Sequence, residues 1–131
     1  MYLAVISFFM LMIVPPGCPT PAVGMAKGSI PDKDITASSE LDSDSSASNA
    51  RSGNTKAWIP SSNDLHPWIQ VNLQYKRNLT AIVTQGFNGS FVKSYYVSYG
   101  DDGNNWTNYT VQGKIRVNKN YLLLLIETKN L

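Results

Sequence analysis

Trp68-Ile69-Gln70-Val71-Asn72-Leu73 alternates apolar with polar side chains, the period-two signature of a strand with one buried face. Downstream, Leu79 to Gln85 is rich in β-branched residues and stops at Gly86, which predicts a second strand. Phe87 to Ser90 is a Gly/Asn turn region, and Ser94 to Tyr99 reads as a third strand. Gly100-Asp101-Asp102-Gly103-Asn104-Asn105 is a strong turn signal. Trp106 to Val111 then returns as a hairpin, and Lys114 to Val117 and Tyr121 to Thr128 are two further strand candidates. Upstream, Ile35 to Ser39 is a short strand candidate. No stretch after residue 26 keeps a 3.6-residue apolar period, and no internal repeat is visible. The chain is therefore expected to be all-β, a sandwich or a barrel.

The 131 residues suit one domain with one core. A hydrophobic content of 43% with 15% charged residues excludes a disordered polyelectrolyte or a coiled coil. A net charge of +2 is too small to suggest a nucleic-acid footprint. With one Cys and one His the chain can build neither a Cys/His zinc site nor an internal disulfide. Pro19 to Asp34 reads as loop, and Glu40 to Thr55, almost wholly Ser, Asp, Asn, Ala and Gly, as a surface loop or flexible excursion.

Tyr2 to Val14 is an apolar run interrupted only by Ser7 and followed by Pro15, Pro16 and Gly17. It is shorter than the roughly 20 residues that span a bilayer and matches the core of a secretory signal. The signal peptide is expected to occupy residues 1–17, with residue 24 as the other possible end. A buried apolar strand or an uncleaved anchor is the alternative. Four Asn-x-Ser/Thr acceptors, at Asn78, Asn88, Asn105 and Asn108, agree with secretion.

No catalytic constellation is visible. The single His66 lacks a partnered nucleophile, no Gly-x-Ser-x-Gly elbow occurs, and Asp101 and Asp102 are neighbours in a turn. A non-enzymatic binding role follows as the expectation.

Several motifs in order carry a resemblance. They are Gly28-Ser29-Ile30-Pro31-Asp32-Lys33-Asp34-Ile35-Thr36-Ala37-Ser38-Ser39, Ala50-Arg51, Ala57-Trp58-Ile59-Pro60, Asn63-Asp64, the Trp68–Leu73 strand, Thr84-Gln85-Gly86, Ser94-Tyr95 and Asp101 to Trp106. Cys18 with Gly24-Met25 resembles the first Cys of the same pattern. The series resembles the discoidin family, also called the coagulation factor V/VIII type C domain, over about residues 18–120. The resemblance implies an antiparallel jelly-roll β-sandwich of the galactose-binding-like kind. It implies loops at one end that bind phospholipid, collagen, glycans or receptor ligands, without enzymatic activity.

Trp58, Trp68 and Trp106 are expected as core aromatics, and Arg51 as a buried hydrogen-bonding position. The first ligand loop would run from Leu41 to Ser48 and include Asp42 and Asp44. Its two Asp and four Ser residues oppose insertion into anionic lipid. The second would run from Gly86 to Lys93, with Phe87 and Phe91 either facing a ligand or folding back on the sheet. Asn88 lies in its middle, where a glycan could block it. Asp64 corresponds to an acidic position lining a polar pocket in some relatives, or else serves its own turn.

After Asn120 the chain ceases to resemble the family, whose final strands and second Cys are missing, so Cys18 has no disulfide partner. Residues 121–131 form a divergent Leu-rich tail whose Leu122 to Ile126 is an aggregation hazard if exposed. A truncated isoform or incomplete gene model is the preferred reading; substitution of the tail for one missing strand is the other. The expected function is a secreted recognition module for cell or matrix adhesion. Its expected partners are an extracellular glycan, collagen or a cell-surface protein, with anionic phospholipid and nucleic acid disfavoured. The alternatives are a carbohydrate-binding accessory module from a larger extracellular enzyme, or a non-functional fragment. No cofactor is implied, and structural calcium finds no support in the sequence.

Overall fold

The computed structural model describes residues 25, 28–51, 53–76, 82 and 84–115, together with the backbone of 123–127. The expected signal peptide, Cys18 and Asn78 lie outside the described residues. The described residues hold seven strands: β1 (Ile35–Ala37), β2 (Trp68–Asn72), β3 (Tyr96–Gly100), β4 (Thr107–Asn108), β5 (Thr110–Val111), β6 (Lys114–Ile115) and β7 (Leu123–Glu127). Five form one sheet in the order β1-β2-β7-β3-β4, and β5 and β6 make a separate ribbon. The only helical elements among the described residues are three short 3-10 turns, at Asp32–Asp34, Ser43–Ser45 and Ala47–Ala50.

The expectation of a wholly antiparallel sheet needs correction. The tail supplies β7, which lies between β2 and β3 and runs parallel to both. Its sequence explains the position. Leu123-Leu124-Leu125-Ile126 is a continuous apolar run, the pattern common in central parallel strands, rather than an alternating one. The outer pairs, β1 with β2 and β3 with β4, are antiparallel.

Register defines one face of the sheet. Ile35 pairs with Val71 and Ala37 with Ile69; across β7, these two rows continue to Tyr99 and Val97 respectively. Ile35, Ile69 and Val71 are buried, and Trp58, Met25, Ile30, Leu73 and Val92 join them in one cluster. Burial fades along the face, since Val97 is only partly covered while Tyr99 is exposed.

Trp58 is the one fully buried indole, and its Nε1 donates to the Ser39 carbonyl at 2.8 Å. Trp68 and Trp106 are half-buried and stand outside the core cluster, which corrects the expectation of three core tryptophans. Trp68 shares its side of β2 with Gln70 and Asn72, because Ile69 and Val71 take the inner face.

The stretch read as a flexible excursion is built into the structure. Ala47 and Ala50 are buried against the core. Asp42 caps the first 3-10 turn, its Oδ1 accepting from the Asp44 amide at 3.0 Å and the Ser45 hydroxyl at 2.6 Å. Glu40 Oε1 accepts from the Ala47 amide at 2.7 Å. Short polar side chains here replace the backbone partners that a strand or helix would supply.

Arg51 clasps the segment before β1. Its guanidinium donates to the carbonyls of Met25 and Ile30 and, at 2.6 Å, to Asp32 Oδ1, with only 11% of the side chain exposed.

Gly100, the last residue of β3, has no room for a side chain. A Cβ there would press on the Asn105 carbonyl oxygen and lie 3.4 Å from the Trp106 ring. The obstructing oxygen belongs to the backbone, so the turn itself must move. Gly100→Ala is expected to destabilise the protein by about 1–3 kcal/mol, read as a lower thermal unfolding midpoint.

Candidate functional site

Chain direction gathers the candidate loops. β2 and β3 both run parallel to β7, and β1 runs opposite to β2. The chain leaving β1 (38–50) and the chains entering β2 (57–67) and β3 (84–95) therefore all arise at one end of the sheet. Leu41, Asp42, Asp44, Asp64, Phe87, Asn88, Phe91 and Lys93 belong to these three connections.

Asp64 is the knot between the first two. Its Oδ2 accepts the hydroxyls of Ser38 and Ser39, each at 2.6 Å, and its Oδ1 accepts the His66 amide at 3.0 Å. Ser38 Oγ also accepts from the Trp68 amide at 3.0 Å, and Ser39 Oγ from the Ser61 amide at 3.1 Å. Partial burial opposes ionisation of Asp64 most strongly. The hydrogen bonds from Ser38, Ser39 and the His66 amide, with the nearby His66 imidazole, outweigh it and lower the pKa. In this arrangement the carboxylate is occupied by its own chain.

The first loop lies over this base. The Leu41 amide donates to the Ile59 carbonyl at 2.8 Å, and the Ile59 amide to the Ser45 carbonyl at 3.3 Å. Asp42 is engaged as a cap, and Asp44 Oδ1 meets Lys56 Nζ at 2.6 Å. Leu41 remains 43% exposed. The adjoining connection presents Leu65, which is 84% exposed.

The third connection carries a tight hairpin. The Phe87 amide donates to the Ser90 carbonyl at 2.8 Å and the Ser90 amide to the Phe87 carbonyl at 3.0 Å. Asn88 and Gly89 between them have φ of 49° and 78°, the left-handed pair of a type I′ turn that Asn-Gly favours. Phe87 is half-buried, Asn88 and Lys93 are exposed, and Phe91 is 59% exposed. Val92, next to Phe91, is buried in the core cluster and anchors this stretch.

The opposite end of the sheet carries the Asp101–Asn105 turn. Asp102 Oδ1 accepts the Asn105 and Asn104 amides at 2.8 and 2.9 Å, and its Oδ2 accepts Asn105 Nδ2 at 2.6 Å. These bonds, the Asn105 amide foremost, hold the Asp102 carboxyl down at about 2. A carboxylate with a lowered folded-state pKa contributes stability above its unfolded value, about 3.9, and loses it as pH falls through the folded value. Asp64→Asn and Asp102→Asn are each expected to lower stability at neutral pH and to flatten its decline from about pH 5 downward, measured by urea unfolding across that range. No three His, Cys, Asp or Glu side chains come together as a metal site among the described residues.

Residues 34–125 match the F5/8 type C domain. The chain belongs to this family. It is 40% identical over 105 residues to mouse coagulation factor VIII, covering 72% of this chain and 4% of that protein. It is 34% identical over 120 residues to pig lactadherin, covering 76% of this chain and 27% of lactadherin. It is 43% identical over 67 residues to human EGF-like repeat and discoidin I-like domain-containing protein 3, covering 48% of this chain and 14% of that protein. The chain thus corresponds to a small part of each relative. The F5/8 type C match extends to Leu125, past the Asn120 at which the sequence reading ended the resemblance.

Sequence reasoning passed over Leu65 and the Ser38–Ser39 pair. A lone Leu between Asp64 and His66 in a polar turn was the available signal for the first. Nothing local marked the serines, whose partners lie 22 to 30 residues away.

Proposed function

We propose that this chain is a secreted, non-enzymatic recognition module that serves cell or matrix adhesion through the loops at one end of its sandwich. The observation that carries the reading is the convergence of three connections on that end, with Leu41 and Leu65 exposed there. Apolar side chains held on a hydrogen-bonded base gain binding free energy by leaving water, with little further ordering to oppose it. Membership in a family whose relatives include lactadherin and a discoidin I-like domain protein supports the reading.

The partner is an extracellular glycan, collagen or a cell-surface protein. Anionic phospholipid is disfavoured, because Asp42, Asp44 and Asp64 stand in the same loops and like charges repel. The test applies the secreted chain to glycan arrays, immobilised collagen, cultured cells and phosphatidylserine vesicles. Retention is expected on at least one of the first three and weaker retention on vesicles. Leu41→Ser and Leu65→Ser should each weaken binding about tenfold or more, the equivalent of about 1.5 kcal/mol for one apolar side chain. Absence of retention on every surface overturns the reading.

A further inference from the structure

Three of the four Asn-x-Ser/Thr acceptors fall among the described residues, and their carboxamides do different things. Asn105 donates through Nδ2 to Asp102 Oδ2 at 2.6 Å, while its backbone carbonyl lies hard against Gly100. Asn108 pairs with Ser98 in the β3–β4 ladder, and its Oδ1 accepts the hydroxyl of Ser98, which is buried. Both carboxamides hold the β3–turn–β4 hairpin closed. A bulky group on Asn105 Nδ2 would crowd the Asp102 carboxylate it serves, and one on Asn108 would sit on a carboxamide already fixed to the buried Ser98.

All three acceptors are exposed, and Asn88 differs in what its carboxamide does. It occupies the first central position of the Phe87–Ser90 turn, is exposed, and has a carboxamide without a hydrogen-bond partner among the described residues. Its φ of 49° is tolerated by Asn better than by most residues, so the turn chemistry and the acceptor requirement select the same residue. Phe91, 59% exposed, directly follows the bridged Ser90.

We propose that Asn88 carries an N-linked glycan, that Asn105 and Asn108 do not, and that the glycan shields Phe91. Transfer forms a bond from Nδ2 to the anomeric carbon of a lipid-pyrophosphate-linked oligosaccharide. It breaks that carbon's bond to the pyrophosphate oxygen and releases one amide proton. The glycan confines recognition at this end to the side bearing Leu41 and Leu65. The inference rests on the secretion reading above.

The test expresses the full chain in a glycosylating secretory host and maps glycopeptides from the medium by mass spectrometry. Asn88 is expected to be occupied and Asn105 and Asn108 free. Ser90→Ala, which removes the acceptor but keeps the turn backbone, should lose one endoglycosidase-sensitive mobility step. It should also raise anilinonaphthalene sulfonate fluorescence, and Phe91→Ser added to it should cancel the rise. Secreted chain with Asn88 free, or with Asn105 or Asn108 occupied, overturns the assignment. Unchanged dye fluorescence in Ser90→Ala overturns the shielding. Chain that stays in the cytosol with every acceptor unmodified, Asn78 included, refutes the secretion reading itself and the assignment with it.

Discussion

Trp58→Ala is expected to cost about 3–5 kcal/mol, a large share of the net stability of about 5–15 kcal/mol of an ordinary domain. The side chain is fully buried, so truncation leaves a cavity in the core cluster to which Ile30, Ile35, Ile69 and Val71 also belong. It also removes the donor to the Ser39 carbonyl. Ser39 in turn serves Asp64 and Ser61, so the damage spreads from the core to the base of the binding end. Trp58→Phe separates the two causes, since it refills most of the volume without restoring the donor. Urea unfolding followed by circular dichroism should place it between wild type and Trp58→Ala. Equal stability of Trp58→Ala and wild type would contradict the core described here.

Arg51→Ala is the second large effect. Removing the guanidinium strips the carbonyls of Met25 and Ile30 of a charged donor, at about 1–3 kcal/mol for each buried group left unpaired. The ion pair with Asp32 adds little, because the Asp32 side chain is 74% exposed and solvent screens it. Asp32→Ala should therefore be mild and Arg51→Ala severe. Limited proteolysis should show earlier cutting before β1 in Arg51→Ala only. If both variants lost the same stability, the carbonyl contacts would not be what anchors the segment.

Legibility in the sequence followed the range of the interaction. Trp68–Leu73 alternates so regularly that β2 was readable from six residues. The same alternation, taken strictly, sets Trp68 beside Gln70 and Asn72 and away from Ile69 and Val71; judging the indole by its size alone obscured this. Asn88-Gly89 foretold a tight turn because left-handed backbone is a local property. The Glu40–Thr55 stretch misled because its polar composition hid Ala47 and Ala50, whose burial depends on β1. The pairing of β7 was hardest to read, since nothing within Leu123–Glu127 names β2 and β3 as its neighbours. For the candidate site, the loops were legible from motif order. The Asp64 knot was not, because it joins residues about 25 positions apart through side-chain oxygens.

The place of β7 has a consequence for biosynthesis. Its residues leave the ribosome after both strands it joins. Until Leu123–Glu127 emerges, β1–β2 and β3–β4 are two detached ribbons, each with an unpaired backbone edge turned toward the gap. The nascent chain thus cannot assemble this sheet stepwise. It must wait for a late segment to close it, and during that interval the open edges are available to pair with those of other chains.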